Sequence, residues 1–126
     1  MTDYLTLGND GRLVDREGKT LELKRDLSSP MGPLRTITAF ANSAGGRLVI
    51  GIADDGTVVG VEDPLSEEER VASLIDDWIS PQLVPAIDLV TLSGKTVLVV
   101  DVPLSTRRSH YITRQGPEAG VYVRLG

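Results

Sequence analysis

An α+β domain with a mixed β-sheet and two helices is predicted, on three observations. A branched apolar run, LVIGI (Leu48–Ile52), is continuous as in a strand covered on both faces. Two stretches carry apolar residues at helical spacing, near 34–44 and 67–79. Their order among the other strands, β-α-β-β-α-β-β-β-β, is not the alternation of a regular βαβ repeat.

The elements follow in chain order. Residues 1–13 read as a loose lead-in or an edge strand. Thr20–Lys24 alternates apolar and polar, the pattern of a half-buried strand. A Ser-Ser-Pro-Met-Gly-Pro turn cluster follows. Leu34, Ile37, Phe40, Ala41 and Ala44 then share one helical face, and Gly45-Gly46 is a C-terminal stop. After Leu48–Ile52, Asp54-Asp55-Gly56 signals a hairpin returning through Val58–Val61. Ser66 and Glu69 have the spacing of a capping box, and Val71, Leu74, Ile75, Trp78 and Ile79 form the apolar stripe behind it. Trp78 reads as core. Ala86–Leu92 and Lys95–Val102 flank a two-residue Ser93-Gly94 turn, and His110–Thr113 and Gly120–Leu125 flank a Pro/Gly turn.

The length, 126 residues, suits one domain with a single core. No cysteine is present, which excludes disulfides and thiolate metal sites. Apolar runs are too short to span a membrane, and the N-terminus lacks the layout of a signal peptide, which points to the cytosol. The net charge of −5 is unevenly spread. Residues 62–101 are acidic, whereas 102–126 hold Arg107, Arg108, Arg114 and Arg124 against Glu118 alone. Such asymmetry allows a local basic patch on an acidic body; the plainer alternative is a solvated surface that happens to segregate charge.

Several chemistries lack their motifs. There is no phosphate-binding loop, no G-x-G-x-x-G opening a helix and no G-x-S-x-G. His110 is the only histidine and reads as a surface polar residue. Two constellations remain. Glu17, Glu22 and Asp54, with Asp55 beside it, would converge if their strands are neighbours. Converging carboxylates can hold a divalent ion such as Mg²⁺ or Mn²⁺ against a phosphodiester, with Lys24 balancing phosphate charge; the plainer alternative is an ion pair between Glu22 and Lys24. The second is Arg107-Arg108-Ser-His-Tyr, where arginines can contact phosphate and Tyr111 can stack on a base or face the core.

From about Glu17 to Gly126 the chain resembles the Schlafen-type AlbA-like DNA-binding domain. The resemblance rests on E-x-x-x-x-E-L-K (Glu17–Lys24), AFANSAGG (Ala39–Gly46), LVIGI (Leu48–Ile52), DDGTVVGV (Asp54–Val61) and the closing YVRLG (Tyr122–Gly126). It implies residues 1–16 as a lead-in and 17–126 as a domain cut from a longer protein, a transcriptional regulator or a relative of the RecG helicase. It also implies a nucleic-acid partner, DNA first, with no membrane partner and no resident cofactor. Candidate contacts are Lys24, Arg47, Arg107, Arg108 and Arg114.

Animal relatives that cleave RNA use acids spaced like Glu17 and Glu22, plus a third just after the strand that follows Gly-Gly. Ala53 stands at that third place here, with Asp54 one residue later. The alternative function is thus a metal-dependent nuclease with Glu17, Glu22, Lys24 and Asp54 as catalytic residues. A third reading, a protein-interaction or homo-oligomerisation module, fits the acidic middle of the chain.

Overall fold

The computed structural model describes residues 5–126, so Met1–Tyr4 of the expected lead-in lie outside the described residues. The main sheet has four strands: β1 (Leu21–Lys24), β2 (Gly46–Ile50), β4 (Ala86–Leu92) and β5 (Lys95–Val102). Their order is β1-β2-β5-β4. β1 runs parallel to β2, and the other two pairings are antiparallel. β2 therefore sits inside the sheet, and Leu48, Val49 and Ile50 are fully buried, as the unbroken apolar run requires. Helices α1 (Met31–Asn42) and α2 (Pro64–Trp78) pack on one face.

Alternation along the strands divides the core in two. Leu48, Ile50, Leu98, Val100 and Val102 face the helices and meet Leu34, Ile37, Phe40, Ala41, Val71 and Ile75. Leu23, Val49, Val90, Leu92, Val97 and Val99 point the other way. Among the described residues, no helix covers that second face. Leu5 and Leu13 close it instead, with Ile52 and Val58. Residues 5–13, within the segment expected as a loose lead-in or an edge strand, thus cover the second half of the core, and Leu7 and Leu13 bridge within them. Burying a leucine is worth about 1.5–3 kcal/mol, which explains why this segment stays down.

Gly45 has φ +73°, and a Cβ there would lie 2.8 Å from the Val102 carbonyl oxygen. The Gly-Gly stop is a close approach of backbone to backbone, as well as a helix end.

Several local expectations are corrected. Helix α1 begins three residues early, at Met31, because Pro33 in the first turn needs no donor of its own. It also stops at Asn42, short of the expected residue 44. Helix α2 is capped by Asp63, whose side chain accepts from Ser66 N–H, with Pro64 at the first helical position; the Ser66–Glu69 box is not used. Val58–Val61 makes a single bridge, Ile52 with Val58, in place of a strand. Trp78 is half-buried against the helix-side core.

The C-terminal hairpin does not form. Ile79–Ser80, unforeseen as a strand, is β3 and pairs with β6 (Tyr111–Ile112). A 3₁₀ turn and the short helix α3 (Gly116–Ala119) follow. Residues 120–126 then run outside any ladder. Their backbone is held by side chains of α1 and the turn after it.

Candidate nucleic-acid interface and carboxylate cluster

The expected acids begin beside β1. Residues of β1 alternate faces, so Glu22 and Lys24, paired with Leu48 and Ile50, lie on the helix side. Lys24 Nζ is 3.8 Å from Glu22, the ion pair that the spacing allows. A stronger partner comes from the C-terminus. Arg124 donates to Glu22 Oε1 at 2.7 Å, to Gly18 carbonyl oxygen at 2.7 and 3.0 Å, and to Leu21 carbonyl oxygen at 3.1 Å. Its guanidinium also lies over the Phe40 ring, 5.0 Å from the centroid. The closing YVRLG motif and the E-L-K motif are therefore one device, which ties the chain end to the edge of β1.

Glu17 stands off the outer edge of β1. It accepts the Leu23 N–H at 2.9 Å, occupying a donor that an edge strand would leave bare. Partial burial of the carboxyl, then its hydrogen bond with Glu22, push Glu17 above the usual carboxylate range. Burial also acts to raise Glu22, but the hydrogen bonds from Glu17 and Arg124 and the charges of Arg124 and Lys24 outweigh it, so Glu22 is held low. Within the pair, Glu17 releases its proton at a higher pH than Glu22.

A pH prediction follows. Glu22 adds stability above its unfolded range, and this is lost as pH falls through its lowered folded value. Glu17 has the opposite sign: its share is full at low pH and is lost as pH rises through its raised value. Glu17→Gln should then stabilise the protein at pH 7 by less than about 1 kcal/mol, since solvent screens this site. The gain should fade as the pH drops below the ordinary carboxylate range, because Glu17, whose range is raised, has taken up its proton there. Urea titrations at pH 7 and at acidic pH check this, and an equal effect at both would show that neither burial nor Glu22 raises Glu17.

Asp54 is exposed and lines a groove of about 540 Å³ with Glu17, Asp10, Asp15, Asp55, Arg12 and Arg16. Glu17 shares the groove with Asp54 and also adjoins Glu22, which does not line the groove. Among the described residues, no three Asp, Glu, His or Cys side chains are grouped so as to hold a metal ion. The donor chemistry agrees: Glu22 is already neutralised by Arg124 and Lys24, and Ala53 supplies no oxygen from its side chain. The described residues do not fit a divalent ion.

The five candidate contacts are spread over the molecule. Arg47 shares its sheet face with Val49, opposite to Lys24, and its Nε is 3.8 Å from Asp101. Arg114 stacks on Trp78, 3.8 Å from the ring centroid. Tyr111 is half-buried in β6 opposite Ser80, and Tyr122 hydrogen-bonds Gln115. Arg107 and Arg108 differ from the rest. Both are exposed, they are adjacent, and among the described residues neither guanidinium meets a carboxylate.

Their loop is built from the inside. His110, expected at the surface, is fully buried. Its Nδ1–H donates to the Pro81 carbonyl at 2.8 Å, and Nε2 accepts from the Ser105 hydroxyl at 2.6 Å. Ser105 Oγ in turn accepts from Arg107 N–H, and Ser105 N–H donates to Ala41 carbonyl oxygen. Asn42 closes the loop: its Oδ1 accepts from His110 N–H at 2.8 Å, and its Nδ2 donates to the carbonyls of His110 and Tyr122. Ser43 Oγ accepts from Arg124 N–H at 2.7 Å. Asn42, Ser43, Ser105 and Arg124 were not picked out as site residues from the sequence. Asn42 and Ser43 lie within AFANSAGG and Arg124 within YVRLG, whereas Ser105 belongs to no motif and carries no sequence signal.

Comparison with known proteins agrees with this architecture. The chain is similar to the solution structure of the N-terminal domain of an ATP-dependent DNA helicase RecG-related protein from Nitrosomonas europaea. The two are 32% identical over 89% of this chain and 82% of that chain, with a TM-score of 0.69. It is also similar to the crystal structure of the DIP2311 protein from Corynebacterium diphtheriae, at 18% identity and TM-score 0.69. That match covers 94% of this chain and 23% of that one, and it concerns the fold alone. The family model described as Schlafen, AlbA_2 matches residues 17–126, the stretch that holds both the carboxylate cluster and the arginine loop. With its two end motifs joined through Arg124 and Glu22, the chain belongs to the Schlafen AlbA_2 family.

Proposed function

We propose that this chain is a nucleic-acid-binding domain, DNA its first ligand, of a transcriptional regulator or a RecG-helicase-related protein, and that it binds without cleaving. The observation that carries the proposal is the adjacent pair Arg107 and Arg108, exposed and without carboxylate partners among the described residues, on a loop pinned by His110 and Asn42. A pinned loop loses little conformational freedom when it meets a phosphate. Arg114, exposed and stacked on Trp78, is an auxiliary contact. Lys24 and Arg47 contribute less, because each has an acid beside it. The family and the DNA-helicase-related identity of the Nitrosomonas relative support this reading. A DNA-binding role carries a cytoplasmic setting in bacterial hosts like those of the relatives.

The test is a salt titration. The net charge of −5 makes binding weak, so it is measured at low salt. Replacing Arg107 and Arg108 with alanine should reduce affinity for duplex DNA roughly tenfold and lower the slope of log K against log salt by about 1.8. An unchanged slope would show that these arginines touch no phosphate. A parallel incubation with RNA and DNA in Mg²⁺ or Mn²⁺ examines the nuclease alternative. Cleavage that Glu22→Ala abolishes would overturn the binding-only reading.

A further inference from the structure

The two edges of the main sheet are finished differently. At the β1 edge, Glu17 takes the Leu23 N–H, while Gly18 N–H and the Arg124 guanidinium occupy the Leu21 carbonyl. The opposite edge is β4, seven residues long. It joins β5 through Ser93-Gly94, with φ of 51° and 74°, the signature of a two-residue hairpin turn. In that geometry Leu92, Val90, Asp88 and Ala86 exchange hydrogen bonds with β5, and Ile87, Leu89 and Thr91 turn their N–H and C=O outward. Among the described residues, no hydrogen bond reaches these outward groups from outside the hairpin. Asp88 is the strand's one charged guard; it has no lysine, no internal proline and no bulge.

We propose that β4 pairs antiparallel with β4 of a second copy of this chain, about a two-fold axis through Leu89. The strand's own pattern selects that partner and that register. Centred on Leu89, all three outward residues are used: Leu89 meets its counterpart, and Ile87 meets Thr91 of the second copy, each pair exchanging both hydrogen bonds. Centred on Asp88, the only charged side chain of β4 would face its own copy, and like charges opposite each other repel. Centred on Val90, Ile87 loses its partner. In the Leu89 register Asp88 falls opposite Val90, so no like charges meet. Leu89 is 40% exposed in the single chain, on the side of the sheet that carries the helices, and pairing would cover it with an identical leucine. The two sheets would become one continuous sheet.

The experiment is sedimentation equilibrium on the full chain over a concentration series, beside two variants. Leu89→Lys places two positive charges on the axis. Thr91→Pro removes an outward N–H without touching the ladder to β5. The wild type should approach twice the chain mass as concentration rises. Both variants should remain at one chain mass while keeping the wild-type circular dichroism spectrum. Because the chain has no cysteine, Leu89→Cys gives a register readout. Oxidation should link two copies at this position, where paired Cα atoms are about 5.5 Å apart, and should not link a Ser93→Cys control. A wild type that stays monomeric throughout would overturn the proposal. So would variants that dimerise as the wild type does, or cross-linking that favours position 93.

Discussion

Replacing Arg124 with alanine is expected to destabilise the protein by about 2–3 kcal/mol, because hydrogen bonds to a charged group are worth about 1.5–3 kcal/mol and Glu22 is left behind. For a domain of this size that lowers the melting temperature by about 10 °C. The guanidinium reaches Glu22, Gly18 and Leu21 and covers the Phe40 ring, so one substitution frees the chain end and bares the β1 edge together. Arg124→Lys should recover only part of the loss, since an ammonium keeps the charge but cannot fork between two carbonyls and a carboxylate. Thermal melts of the three proteins decide this. A lysine variant as stable as wild type would show that charge alone matters.

The second large effect is expected at Asn42. Its side chain satisfies the N–H and C=O of His110 and the C=O of Tyr122, two segments far away in sequence. Asn42→Ala leaves three backbone groups without that partner, at a cost of about 3 kcal/mol. Asn42→Asp should be no better, because it keeps the acceptor for His110 N–H but turns a carboxylate oxygen towards two carbonyls. Both variants should also weaken DNA binding, although Asn42 touches no phosphate in the proposed complex. The reason is that Arg107 and Arg108 lose a fixed loop and pay its ordering entropy on binding. Denaturant melts and the low-salt titration measure the two effects. An aspartate variant with wild-type stability would refute the role assigned to the amide donor.

What the sequence by itself determined is local in origin. LVIGI reads as an interior strand because its own residues are apolar on both faces; the strand itself is Gly46–Ile50, two residues earlier than the expected Leu48–Ile52, with Ile52 left to an isolated bridge. The Ser93-Gly94 hairpin is legible because two turn residues impose their backbone on the strands beside them, and its bounds match the structure. The Glu22–Lys24 pair is legible because residues two apart on a strand share a face. The family motifs likewise stand in the sequence as written.

Tertiary structure alone decided the rest, because each such feature depends on groups distant in sequence. Glu22 meets Arg124 across 102 positions, and His110 meets Asn42 across 68. No periodicity reports such pairs. His110 reads as a surface residue until Pro81 and Ser105 are seen to satisfy both ring nitrogens. The expected C-terminal hairpin fails because its first arm finds a better partner in Ile79–Ser80, and its second is held by Asn42 and Ser43 side chains. The N-terminal segment looks loose until the bare sheet face beneath Leu5 and Leu13 is known. Local preference sets which elements can form. Which faces stay uncovered, and which residues then close them, is settled only when the whole chain is packed.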